Sequence, residues 1–208
     1  MKKFVVLFAF IIASFGASLT AQADPVTMQL TGVNSATQGG FHVGPLQGTV
    51  NGTPLTMVCD DFAHHVSVGQ TWTATISTFS DLSGTRFADL AKYQQAAWLF
   101  DQFTINPAAT GDIQFALWTI FTPGTPASGN ASYWINLAQN QNFGSYDFSK
   151  FQIYTPTDCS AASPQEFIAK IPGAQVPEPA SLVLLGSGLA GLSAMLRKRV
   201  KKQDSVNK

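Results

Sequence analysis

The chain has 208 residues, twelve basic and twelve acidic side chains and a formal net charge of zero. The balance is uneven: residues 24–175 hold ten acidic and four basic side chains, an excess of six negative, and most of the positive charge lies in the two end segments. So acidic a body excludes nucleic-acid binding through phosphate neutralisation. Its length leaves one ordinary domain of about 150 residues, enough to bury a core without staples.

The N-terminus reads MKKFVVLFAFIIASFGASLTAQAD. Lys2 and Lys3 precede an apolar run from Phe4 to Phe15 that is too short to span a bilayer comfortably, and Ala21-Gln22-Ala23 supplies a small-x-small cleavage site. Residues 1–23 therefore read as a secretory signal peptide cut by signal peptidase. The low charge and the many Thr, Ser, Asn and Gln residues of the body fit an exported protein.

The first half of the body reads as strands. Val26, Met28 and Leu30 alternate with polar residues, and residues 41–50 and 54–58 flank Asn51-Gly52, a strong hairpin signal. The stretch TWTATISTF puts Trp72, Ala74 and Ile76 on one face. The second half reads as helices. Asp81 or Ser83 is placed to cap a helix over residues 85–103, with Phe87, Leu90, Ala91, Ala97 and Trp98 on one face; Asp112 is placed to cap residues 113–121, and a short helix covers ASYWINLAQNQ. DFSKFQIYT then returns to strand. The fold expected is α+β, a β-rich sandwich or barrel-like domain over residues 24–155 with helices inserted between early strands and a late one. Residues 156–175, rich in Pro, Ser and Ala, read as a linker that docks locally through Phe167 and Ile168.

The chain ends on VPEPASLVLLGSGLAGLSAMLRKRVKK before the last six residues. Residues 180–196 carry no charge, and as a helix they would be roughly 25 Å long, a short single transmembrane span. Arg197, Lys198, Arg199, Lys201 and Lys202 follow at once, which keeps that end cytoplasmic and the body outside. GSGLAG at 186–191 has the letters of a dinucleotide fingerprint but no strand–turn–helix around it. Pro177 and Pro179 hold an extended backbone just outside the apolar run. Val176-Pro177-Glu178-Pro179, the apolar span and the basic end, in this order over residues 176–202, resemble the PEP-CTERM sorting signal. The resemblance implies exosortase, a membrane-embedded protease of Gram-negative bacteria that make exopolysaccharide, as processing partner. It also implies an inner-membrane intermediate with a periplasmic body, then release to the cell surface or the exopolysaccharide matrix of a biofilm.

Two cysteines, Cys59 and Cys159, leave three states open: a disulfide with each other, a free buried thiol at Cys59, or participation of Cys59 in chemistry. A Cys59–Cys159 disulfide would close a loop of about 100 residues, worth up to roughly 4.7 kcal/mol in the chain-entropy picture. MVCDDF, YQQAAWLF and DIQFALW taken together resemble the thioester domains of bacterial surface adhesins, over residues 57–121. Val58 stands where that family has Tyr, Phe or Leu, and Ile113 where it has Thr. The resemblance implies Cys59 as thiol and Gln114 as carboxamide of an internal thioester, with Tyr93, Gln94, Trp98 and Trp118 in the surrounding motifs and the aromatic ones shielding the bond. Such a device makes one covalent adhesive attachment and is not a turnover enzyme. Backbone N–H groups at a helix start after Asp112 are placed to polarise the Gln114 carbonyl.

Asp60, Asp61, His64 and His65 crowd after Cys59 and read as a solvated strand end or turn. Their spacing fits no standard structural zinc pattern, no metal or other cofactor is implied, and a Cys59–His64 pair lacks an evident orienting residue. The function expected is that of an exported surface or matrix protein with a structural or adhesive role. The alternative is a covalent adhesin using the Cys59–Gln114 thioester. The ligand or surface target is not specified by these residues.

Overall fold

A computed structural model describes residues 24–160 and 162–171. Its frame is a closed barrel of six antiparallel strands: β1 (Val26–Gly32), β4 (Leu46–Val50), β5 (Thr53–Cys59), β6 (Thr71–Ser77), β7 (Phe151–Pro156) and β8 (Phe167–Lys170). Around the barrel the order is β1-β4-β5-β8-β7-β6, and β6 returns to β1 through pairs such as Met28 with Trp72. Closure leaves no unpaired edge to template aggregation. A separate two-stranded ribbon, β2 (Thr37–Gln38) with β3 (Phe41–His42), sits in the β1–β4 connection.

The alternation in β1 sends Val26, Met28 and Leu30 inward and Thr27 and Thr31 outward. The β4–β5 hairpin turns on Asn51 and Gly52, whose φ values of 48° and 80° are those of a type I′ turn that matches strand twist. Strand β6 buries Trp72 and Ala74.

Helices α1 (Leu90–Ile105), α2 (Thr110–Phe121) and α3 (Ala131–Gln139) are inserted between β6 and β7. Helix α1 starts later than the capping signals at Asp81 and Ser83 suggest. Asp89 is its cap, accepting from the Lys92 N–H at 3.2 Å, and Ala88 just before it sits at φ 48°, which breaks the helix. Its buried face is Tyr93, Ala96, Ala97, Leu99, Gln102 and Phe103, while Leu90 is exposed. Helix α2 is entered through the 3-10 turn Pro107–Ala109. Asp112 lies inside its first turn and caps nothing; its carboxylate accepts from Gln38 Nε2 at 3.1 Å and from the Asn130 N–H at 3.0 Å. Eight of its twelve residues are buried, the mark of a helix enclosed by its neighbours.

The region read as a linker needs correction. Residues 167–170 form β8, which pairs with both β5 and β7 and completes the barrel. Phe167, Ile168 and Ala169 are all fully buried, because one face of β8 lines the barrel and the other lies under α1. The domain therefore continues to Lys170.

Candidate functional site: a buried cysteine–glutamine corner

Cys59 is the last residue of β5 and is buried. Gln114 is 55 residues away on α2, yet its side chain meets the same strand end: Nε2 donates to the Cys59 carbonyl oxygen at 2.8 Å. Gln114 Oε1 accepts from the Gly44 N–H at 3.3 Å. The carboxamide is thus clamped between β5 and the turn before β4, with 1% of the residue exposed. One helical turn on, Trp118 Nε1 donates to Cys59 Sγ at 3.4 Å, and the thiol donates to the Asp61 carbonyl at 3.1 Å. Helical spacing places Gln114 and Trp118 on one face, so a single helix face delivers both to the cysteine.

Gly44 occupies φ 91°, a region that disfavours any side chain. Its N–H, and not the start of α2, is the donor on the Gln114 carbonyl. That departs from the expected helix-terminus arrangement, because α2 begins at Thr110 and places Gln114 past its first turn.

The residues expected to shield the site divide. Trp118 borders the thiol and packs against Phe41, Phe62 and Phe115 at centroid distances of 5.9, 5.2 and 5.2 Å. Tyr93 does not: its hydroxyl donates to Glu166 at 2.5 Å. Trp98 packs on Trp134 at 6.4 Å, and Gln94 is half-buried on α1. None of these three lines the pocket of about 220 Å³ that Cys59, Gln114 and Trp118 share. Of the three rings on Trp118 only Phe41 lines that pocket; Phe62 closes the motif MVCDDF and Phe115 lies in DIQFALW, whereas no motif contains Phe41.

Both thiols are free in this structure, Cys59 buried and Cys159 exposed, so the alternative disulfide is not formed. Burial pushes the Cys59 thiol well above its ordinary pKa, the neighbouring Asp60 carboxylate pushes it further, and the Trp118 N–H opposes both. At neutral pH the sulfur carries its proton.

The acidic residues after Cys59 are not solvated. Asp60 and Asp61 are 0% and 1% exposed. Asp61 accepts from His64 Nδ1 at 2.7 Å and pairs with Arg86 Nε at 3.1 Å. His64 Nε2 in turn lies 3.5 Å from an Arg86 nitrogen, so this imidazole faces the guanidinium and not Cys59. Arg86 also donates to Ser163 Oγ and the Pro164 carbonyl, and Gln165 Nε2 donates to the Asp61 carbonyl at 3.0 Å. Glu166 accepts from the Arg86 N–H, Tyr93 and Thr155. Asp60 has no hydrogen-bond partner on either carboxylate oxygen among the described residues. Burial, then Glu166 and then Asp61 raise its pKa well above the carboxylate range, and burial raises Glu166 as well. These groups lock the segment before β8 onto the end of β5. Among the described residues no group of three His, Cys, Asp or Glu side chains is arranged to hold a metal.

Residues 175–199 match the PEP-CTERM protein-sorting motif. The motif marks an exported protein that exosortase sorts through a membrane-anchored intermediate. Val176 to Pro179, the apolar span at 180–196, the basic residues from Arg197 to Lys202 and the signal segment with Ala21 and Ala23 lie outside the described residues. Among the described residues no helix is long and apolar enough to cross a membrane. Neither a curated protein nor a solved structure matches the chain.

Proposed function

We propose that this exported protein is a covalent adhesin of the cell surface or exopolysaccharide matrix, carrying an internal thioester between Cys59 Sγ and Gln114 Cδ. The observation that carries the reading is the clamp on Gln114. A carboxamide is a poor electrophile, and Gln114 is held on both its ends beside a thiol, with a backbone N–H on the oxygen that becomes negative during attack. Cys59 Sγ adds to Cδ, the thiol proton passes to the departing nitrogen, the C–N bond breaks and one ammonia leaves. The aromatic wall of Phe41, Phe62, Phe115 and Trp118 then keeps water from the thioester. The bond is used once, so the protein is an attachment device and not an enzyme.

A second reading follows from the raised Cys59 pKa. A protonated, buried thiol is a weak nucleophile, and it fits a structural matrix protein that adheres without covalent chemistry. Intact mass of the non-reduced mature protein separates the two. Loss of one ammonia, regained as an adduct on adding methylamine and absent in Cys59→Ala and Gln114→Ala, establishes the thioester. An unchanged mass with two titratable thiols establishes the second reading.

A further inference from the structure

The thioester reading leaves its acceptor open, and this inference, which rests on that reading, names one. The pocket beside Cys59 and Gln114 runs from these buried residues to exposed His42 and His65. Its lining holds no carboxylate, lysine or arginine. An ammonium acceptor therefore meets no counter-charge there, whereas an uncharged hydroxyl meets none that repels it.

A hydroxyl needs a base at neutral pH, and the pocket has one with a fixed tautomer. His42 Nδ1 lies 3.1 Å from the Asn34 carbonyl oxygen. A carbonyl only accepts, so Nδ1 carries the proton and Nε2 keeps a lone pair. His65 has no hydrogen-bond partner among the described residues to fix it in this way. His42 is also two residues from Gly44, the donor on the Gln114 carbonyl. One short segment thus carries both a base for the incoming group and a donor for the oxyanion.

We propose that the thioester takes a neutral hydroxyl acceptor, with His42 as general base. His42 Nε2 takes the hydroxyl proton as the oxygen adds to Gln114 Cδ. The C–S bond breaks, the proton passes from the imidazole to Cys59 sulfur, and the products are a glutamyl ester and a free thiol. No oxidant or further reactant is needed.

The test uses mature protein, glycerol and methylamine as probes, and intact mass as readout. The expected result is a glycerol ester on wild type that falls at least tenfold in His42→Gln, against the roughly 10²–10⁴-fold that a general base contributes. The methylamine adduct is retained in that variant, which shows it folded and armed, and His65→Gln behaves as wild type. Glycerol ester formation that persists in His42→Gln, or that depends on His65 instead, overturns the assignment. A wild-type protein that takes methylamine and never glycerol overturns it in favour of an amine acceptor. Absence of both ammonia loss and methylamine adduct sinks the thioester reading itself and this inference with it.

Discussion

Gly44→Ala is the perturbation that most directly probes the clamp on Gln114. A Cβ at this position would lie 2.5 Å from Thr110 Cγ2 and 3.1 Å from Asn34 Nδ2. Thr110 is the first residue of α2, so the loop or the helix must give way. Holding an alanine at φ 91° costs about 1–2 kcal/mol, and overpacking adds about 1–3 kcal/mol before relaxation. We expect a total loss of about 2–4 kcal/mol. At roughly 3 °C per kcal/mol for a domain of this size, Tm falls by roughly 6–12 °C. The relaxation moves the Gly44 N–H away from Gln114 Oε1, and loss of one oxyanion donor slows reaction by roughly 10²–10³-fold. The 3.3 Å length of this bond places the expected slowing of ammonia loss at the lower end, about 10²-fold. Urea unfolding gives the stability, and a time course of intact mass after refolding gives the rate. A Thr110→Ala change on top should return the steric part of the stability and, with it, part of the rate, leaving the share due to the φ 91° backbone and Asn34. Gly44→Ala protein with wild-type stability and a wild-type rate of ammonia loss would refute the reasoning at both steps.

Phe167→Ala should destabilise by about 3–5 kcal/mol in urea unfolding, because the ring is fully buried in β8; a linker residue would cost under about 0.5 kcal/mol. Denatured, non-reduced wild type should titrate one thiol with Ellman's reagent, that of Cys159, and Gln114→Ala should titrate two; equal counts would exclude the thioester. Asp60 gives a pH dependence with a definite sign. Its folded pKa is raised, so its contribution is fully present below the unfolded value of about 3.9 and is lost as pH rises through the folded value. Stability of wild type relative to Asp60→Asn should therefore fall with rising pH in a urea series, and a rising difference would contradict the burial argument.

Much of the barrel is written locally. Asn51-Gly52 sets a two-residue turn, and the alternation in β1 sets its inward face, both of which survive any tertiary context. Residues 167–170 are illegible for the opposite reason. A strand buried on both faces shows no alternation, and FIAK after a Pro- and Ser-rich stretch carries no periodicity to read. The start of α1 was masked by an equally good capping signal at Asp81, which instead accepts from the Ser83 N–H in a local turn. At the site, Cys59, Gln114 and Trp118 are marked by motif spacing, and the fold brings them together. The buried ionic cluster was hidden because Arg86 and Glu166 lie far along the chain from the Asp60-Asp61 pair, and all four read as surface charges. Only the pairing of β5 with β8, Cys59 opposite Phe167, puts Glu166 beside Asp60. Gly44 gives no sequence signal beyond being a glycine.

The position of β8 as the last strand has a consequence for timing. It must slot between β5 and β7, and the Cys59–Phe167 pairing spans more than half the chain. Such distant pairings are slow to form and come after local ones. A chain exported from its N-terminus cannot fix the end of β5, held by Gln165 and Glu166, until nearly all of the body has crossed. Under the thioester reading, the reactive bond is then armed only after export, when cytoplasmic amines and hydroxyls are already out of reach.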